Sequence, residues 1–352
     1  MTVANRPSSA DPKKLLTKEF KAVGLKKDVF QILPEWWEEA LGHPSGVYEV
    51  RGFVAKHFGL EIGPNGQLRQ RLMPHACFKT RTDIDITAVA SARAMATAVA
   101  RIVAAATVGT RPAGANTPWS GGLPSAADLR RTVLDNGRPW VSLSDLLAVC
   151  WEHGIPVVYL PSLPVSKPKM EGMVTFCGSR PVILVTKKAE QPAWMLFVLA
   201  HEMGHVALRH LNECDGGSIV DEKVSEDGVA DPQEIAANAY ALHLLTGGEK
   251  SVINLKSLMK PEPLAKEARR FGHKYHIDPG HVDLNAVRNT MVNGTNPWGL
   301  KTNLWGLGTN ALKHLDHEPA SSVMCRNALR QNVDLDALSD DSFEFLERLG
   351  VL

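Results

Sequence analysis

Phe197-Val198-Leu199-Ala200-His201-Glu202-Met203-Gly204-His205 sets the reading of this chain. The stretch from Pro192 to Leu208 holds apolar residues at Trp194, Phe197, Val198, Met203, Val206 and Leu208, which predicts one helix with much surface to bury. On such a helix His201 and His205 stand one turn apart on the same face, the spacing at which two imidazoles can hold a single zinc ion, and Glu202 between them is placed to take a proton from water. Two core histidines without a partner would be costly to bury, which favours the metal over a merely structural pair.

Catalytic zinc usually takes three protein ligands, so a third group is needed. After an acidic stretch, Asp221 to Asp231, the chain runs Asp231-Pro232-Gln233-Glu234-Ile235-Ala236-Ala237-Asn238-Ala239-Tyr240-Ala241-Leu242-His243-Leu244-Leu245 and stops at Gly247-Gly248. A capping Asp, a proline at the first helical position and the closing glycines predict a second helix. Glu234 in its first turn is the candidate third ligand, with Asn238 one turn on along the same face. Two readings of Glu234 stay open at this level, because Asp231-x-x-Glu234 also fits a capping box. Glu222, Glu226, Asp227 and Asp231 are rival carboxylates, expected in a solvated loop.

The combination of the His201–His205 motif with Glu234-x-x-Ala237-Asn238-x-Tyr240-Ala241-x-x-Leu244-Leu245 resembles the ImmA/IrrE family of bacterial and phage zinc metallopeptidases, which are gluzincin-like. Leu129-Arg130, the helix Leu143 to His153, Gly154-Ile155-Pro156-Val157, Gly172-Met173 and Pro181-Val182-Ile183-Leu184 are similar to that family's order of elements, so the resemblance spans residues 125–247. Thr246-Gly247 departs from the Met-Pro that relatives often carry there. The resemblance implies that Glu234 is the third ligand and that the substrate is a protein, a DNA-binding repressor or antitoxin, in phage or mobile-element immunity, stress response or a toxin-antitoxin system.

The mechanism expected from these parts is zinc-assisted peptide hydrolysis. Zinc on His201, His205 and Glu234 lowers the pKa of a water molecule, while Glu202 takes its proton and passes it to the leaving amine. Asn238 could orient a ligand or close a local hydrogen bond. Tyr240 and His243 are candidates to stabilise the oxyanion, Tyr240 being equally readable as core and His243 lying near the far side of its helix. His210, nine residues after His201, is expected to face away, and His273 and His276 to be solvated or locally bonded. The alternative to a peptidase is a regulatory protein with a structural or sensory zinc that binds DNA or a partner.

The rest of the chain bounds these expectations. Among 352 residues, 44% are hydrophobic and 22% charged, as in an ordinary globular protein. A net charge of +1 gives no chain-wide footprint for nucleic acid. The five cysteines, Cys77, Cys150, Cys177, Cys214 and Cys325, share no C-x-x-C spacing, which argues against a disulfide framework or a thiolate metal site and for a reducing cytoplasm. Thr87 to Val108 is broken by Arg93 and Arg101 and predicts a water-soluble helix, leaving no membrane span.

The fold class expected is α+β: mostly helical, with a small three-stranded sheet packed beside the histidine helix of a zincin-like domain and an additional helical N-terminal region. The division expected is a disordered leader over 1–14, a helical N-terminal domain over 15–108, a turn-rich linker over 109–124, the metallopeptidase domain over 125–255 and a helical C-terminal extension over 256–352. Val50-x-x-Phe53-Val54-x-x-x-Phe58 reads as an amphipathic core helix, with the first helix of a degenerate helix-turn-helix as the weaker reading. The sheet strands expected are Val157–Leu160, Met173–Phe176 and Val182–Thr186, with a free edge that could hold an extended substrate or serve only structurally.

Overall fold

A computed structural model describes residues 11–71, 77–79, 86–107, 121–165, 170–213, 217–221, 231–248, 253–291, 303–315 and 318–352. Residues 1–10 of the expected leader and 109–120 of the expected linker lie outside them. The first helix, α1 (Pro12–Ala22), begins inside the stretch assigned to the leader because Asp11 caps it, accepting from the Lys13 N–H. Then come a short α2 (Trp37–Ala40) and α3 (Gly46–His57), whose Val50, Phe53 and Val54 are buried as the apolar spacing requires. After Gly59 the chain forms an antiparallel hairpin of β1 (Leu60–Ile62) and β2 (Leu68–Gln70), with the Gly63–Gly66 turn where a recognition helix would have to stand. The helix-turn-helix reading is thereby corrected: α3 is a core helix that leads into a hairpin.

The sheet is larger than the three strands expected. Among the described residues it has five, in the order β3 (Cys77–Lys79), β7 (Ser218–Asp221), β5 (Gly172–Cys177), β6 (Arg180–Val185), β4 (Val157–Tyr159). The β5–β6 hairpin is antiparallel, β7 lies antiparallel to β5, and the outer strands run parallel to their neighbours, β3 to β7 and β4 to β6. Of the three expected strands, β5 has its outer edge occupied by β7, which ends at Asp221, the first residue of the acidic stretch. Beyond Asp221, residues 222–230 are outside the described set.

Alternation along the strands shows why the sheet sits at the centre. Met173, Val182, Leu184 and Val220 point into one apolar cluster, while Val174, Ile183, Val185 and Ile219 point into another. With both faces buried, the strands read as continuous apolar runs. One face is covered by α4 (Ile86–Ala106) and the other by α7 (Pro192–Ala207). Beside α7 lie α5 (Ala126–Asp135), α6 (Leu143–Glu152) and α8 (Pro232–Thr246). Ser125 caps α5, and Ser142 with Asp145 forms a full capping box on α6.

The C-terminal part contributes to both sides. Helices α9 (Pro261–Tyr275), α10 (Pro279–Thr290) and α11 (Leu304–Leu312) form a layer against the first half of α7. Arg130 of α5 ties this layer to α8, donating to the carbonyls of Leu245 at 2.9 Å and His276 at 2.6 Å. Next, α12 (Ser321–Asn332) lies on β4 and α6, and α13 (Asp340–Arg348) returns to the N-terminal helices. There Phe345 meets Phe53 and Phe58, and Trp36 donates to Asp341 at 3.0 Å. One cluster thus runs from Leu16 through Leu184 to Leu352, across the positions where composition suggested boundaries.

Candidate metal centre

The α7 helix starts at Pro192, whose missing N–H is no loss at a helix start, and is buried on most of its circumference by the sheet and by α8. His201, Glu202 and His205 have no solvent exposure. What brings α8 close enough to add a third group is Gly204. A Cβ there would lie 3.0 Å from both the Cα and the carbonyl oxygen of Ala237, so the crossing admits only hydrogen without adjustment. Asp231 caps α8 by accepting from the Gln233 N–H at 2.8 Å.

With the cap made in that way, the Glu234 carboxylate is directed to the histidines. Its Oε2 lies 3.4 Å from His201 Nε2 and its Oε1 3.3 Å from His205 Nε2, while the two Nε2 atoms are 3.0 Å apart. The capping-box alternative for Glu234 is not what the chain forms. Burial opposes ionisation of Glu234, yet hydrogen bonds and charge attraction to His201 and His205 outweigh it and hold the carboxyl well below the usual carboxylate range.

These three side chains could hold a metal ion, since one ligand atom from each lies within 4.8 Å of the others. The fit is closer than that bound suggests. A tetrahedral site with ligand bonds of about 2.0–2.1 Å has edges of roughly 3.3 Å, near the separations observed. Imidazole with carboxylate is also a donor set suited to zinc.

Both imidazoles are held from behind. His201 Nδ1 is 2.9 Å from Asn238 Oδ1, an acceptor, so the ring carries its proton at Nδ1 and turns the Nε2 lone pair toward the shared centre. His205 Nδ1 is 2.9 Å from Nδ1 of His210. That contact corrects the expectation that His210 faces away. Helical spacing does not extend to residue 210, because α7 ends at Ala207 and Arg209 takes a positive φ of 60°, which turns the chain back under His205. Neither Gly, Pro nor Asn marks the reversal, so spacing alone could not find it.

At the other side of α7, the first residue of β5 meets the glutamate. A Cβ on Gly172 would fall 1.7 Å from Glu202 Oε1 and 2.6 Å from its Cδ, so the space occupied by the carboxylate exists only because residue 172 has no side chain.

Residues 150–273 match the family model of the IrrE N-terminal-like domain, Peptidase M78. The match supports an ImmA/IrrE-family peptidase. This IrrE-like segment runs from the end of α6 into α9 and contains the whole histidine–glutamate cluster, starting later and ending later than the 125–247 stretch of the sequence resemblance. It supports peptidase activity in general, in a family that is typically metal-dependent. A comparison with curated proteins gives no match.

Within the IrrE-like segment, the other residues singled out are placed elsewhere. Tyr240 is buried and its hydroxyl donates to the Pro124 carbonyl at 3.1 Å, where α8 meets the segment leading into α5. His243 lies along the same surface of α8 as Tyr240, beside Pro124 and Leu208. Of the rival carboxylates, Asp231 caps α8, and Glu222, Glu226 and Asp227 lie outside the described residues. His273 and His276 are exposed, as the solvated reading expected, but their contacts are remote in sequence: the His273 ring meets Trp140 edge-on, and just beyond the segment His276 Nδ1 lies 3.0 Å from the Pro139 carbonyl oxygen. No helix is long and apolar enough to cross a membrane among the described residues.

Proposed function

We propose that this chain is a zinc-dependent metalloendopeptidase that cleaves a regulatory protein, with His201, His205 and Glu234 as metal ligands and Glu202 as the proton carrier. The observation that carries the reading is the convergence of the two Nε2 atoms and the Glu234 carboxylate at 3.0–3.4 Å, with Glu202 next to them in a buried slot. When bound there, zinc would supply Lewis-acid activation of water and of the scissile carbonyl.

The chain's own residues supply the rest. Asn238 and His210 fix the ring orientations, and the Glu202 carboxylate takes a proton from the attacking water. The proton then passes from Glu202 to the amide nitrogen as the C–N bond breaks, leaving a carboxylic acid product and an amine. Burial of Glu202 keeps bulk water from competing for that proton. A DNA-binding repressor or antitoxin as substrate is the part of the proposal that rests on the family resemblance, and action in a reducing cytoplasm rests on the cysteine pattern.

The test is to map new protein N-termini in a bacterial host expressing the wild type or Glu202→Gln, with zinc measured on both purified proteins. Cleavages present only with the wild type, at equal zinc, are expected and would name the substrate. Identical profiles at equal zinc would overturn the reading.

A further inference from the structure

Next to the metal centre, the first half of α7 and the helices α10 and α11 enclose a cavity of about 610 Å³ that the proposed chemistry does not use. Its size is that of a small-ligand or side-chain site. The apolar part of the wall is Trp194 and Phe197 from α7, Leu284 from α10 and Trp305 from α11, with the two indoles 5.4 Å apart, and Lys188, Glu190, Asn285 and Arg288 add charged and polar groups. Phe197 faces both ways, its ring centroid 6.5 Å from that of His201 and 6.1 Å from that of His281. At the rim, Glu171 forms an ion pair with Lys187 at 3.0 Å and immediately precedes Gly172, the residue against Glu202. The cavity is thus bordered by Phe197, whose ring lies near His201, and by Glu171, whose chain neighbour Gly172 lies against Glu202.

Among the polar groups of this lining, His281 presents a buried ring nitrogen with unused capacity. His281 is 3% exposed and stacks on Phe197 with an interplanar angle of 14°, and its Nε2 finds no hydrogen-bond partner among the described residues. Burial, with the Arg130 charge adding to it, pushes the His281 pKa down to about 4, so the ring is neutral near pH 7. A neutral imidazole among aromatic faces suits a side chain that is itself flat and apolar and ends in a hydroxyl.

We propose that this cavity is the specificity pocket that takes an aromatic side chain, tyrosine above others, of the residue flanking the cleaved bond. The proposal rests on the peptidase reading only for what it says of the cleaved bond; the pocket's preference can be measured without turnover. The orphaned His281 Nε2 is the second observation that sets it apart from a merely apolar groove, because a tyrosine hydroxyl would satisfy it and phenylalanine would not.

The test uses the full chain, zinc-loaded and carrying Glu202→Gln so that nothing is cleaved. Binding of three probes, acetyl-Gly-Tyr-Gly-amide and its Phe and Ala counterparts, is followed by titration calorimetry or ligand-observed NMR. The expected order is Tyr, then Phe, then Ala. Filling the cavity from either wall, by Leu284→Trp or by Thr309→Trp, is expected to weaken the Tyr probe at least tenfold with zinc content unchanged, and His281→Phe to erase the preference for Tyr over Phe. Two fillers on different helices are used so that one unstable variant does not end the test. Equal binding of the three probes, or binding unaffected by a folded filler, would overturn the pocket assignment while leaving the peptidase reading to its own experiment. A peptidase that cleaves beside aromatic residues in the N-terminal map, and loses that preference in the filled variants, would support both.

Discussion

His205 and His210 present their Nδ1 atoms to each other at 2.9 Å, five residues apart in sequence but across the end of a helix. A single proton fits between two such nitrogens. If His205 is to offer Nε2 to a metal, that proton belongs to His205 and His210 must accept with its own hydrogen on Nε2. His210→Ala removes the acceptor and frees the His205 ring to turn. Loss of such a supporting contact typically weakens a metal site by about 10–100-fold. Competition against a chromophoric zinc chelator is expected to show a drop in that range, with His210→Gln, which keeps an acceptor, recovering part of it. Unchanged affinity in His210→Ala would reduce His210 to core filling.

Gly172→Ala is a cleaner probe of Glu202 than any change on α7. The added methyl would stand 1.7 Å from Oε1, so the carboxylate must swing away, while the three ligand side chains are untouched. The expected result is zinc content equal to wild type and a peptidase rate lower by about 100-fold, the scale on which general acid–base groups act. Stability should change little, since the moving atoms are the end of one flexible side chain. Full activity in a variant shown to be folded would mean that Glu202 has another productive position.

Much of this site is legible in the sequence, and the failures share a cause. His201, His205, Glu234 and Asn238 lie within two uninterrupted helices, where a period of 3.6 fixes which residues share a face. The caps at Ser125, Ser142 and Asp231 are equally local. His210 lies past a helix end, where a left-handed Arg209 resets the geometry and no residue type announces it. Strands β3 and β7 are three and four residues long, too short for a period of two to register, and pair only through contacts remote in sequence. The same holds for α13: its apolar face at Phe345, Leu346 and Leu349 is plain, but that it joins Phe53 and Phe58 is tertiary information.

The close crossing of α7 and α8 makes a different prediction for Gly204→Ala. Here the obstacle is backbone, Ala237 Cα and O at 3.0 Å, and so a helix must move by a few tenths of an ångström. Overpacking of this kind costs about 1–3 kcal/mol, and moving α8 also withdraws Glu234 from the histidines. Urea unfolding is expected to show a loss of that size, with weaker zinc binding than in wild type. Gly172→Ala, in contrast, should leave both quantities near wild type. A Gly204→Ala protein of normal stability and zinc affinity would show that α8 approaches α7 less closely than described.

Asp283, in the middle of α10, gives the fold a pH dependence that can be isolated. Its side chain has no exposure and neither carboxyl oxygen has a hydrogen-bond partner among the described residues. Burial alone pushes its pKa up to about 8. A carboxyl whose folded pKa is raised binds its proton more tightly in the native state. Its contribution is therefore fully present below the unfolded value of about 4 and is lost progressively as pH rises toward about 8. Between pH 5 and pH 8 that loss is at most about 4 kcal/mol, from roughly 1.4 kcal/mol for each unit. Asp283→Asn keeps the shape and removes the titration, so the difference in unfolding free energy between variant and wild type should grow in the variant's favour from pH 5 to pH 8. Unfolding curves at pH 5, 6.5 and 8 and constant zinc decide it, and a difference that does not vary with pH would mean that Asp283 is ionised in the folded protein throughout.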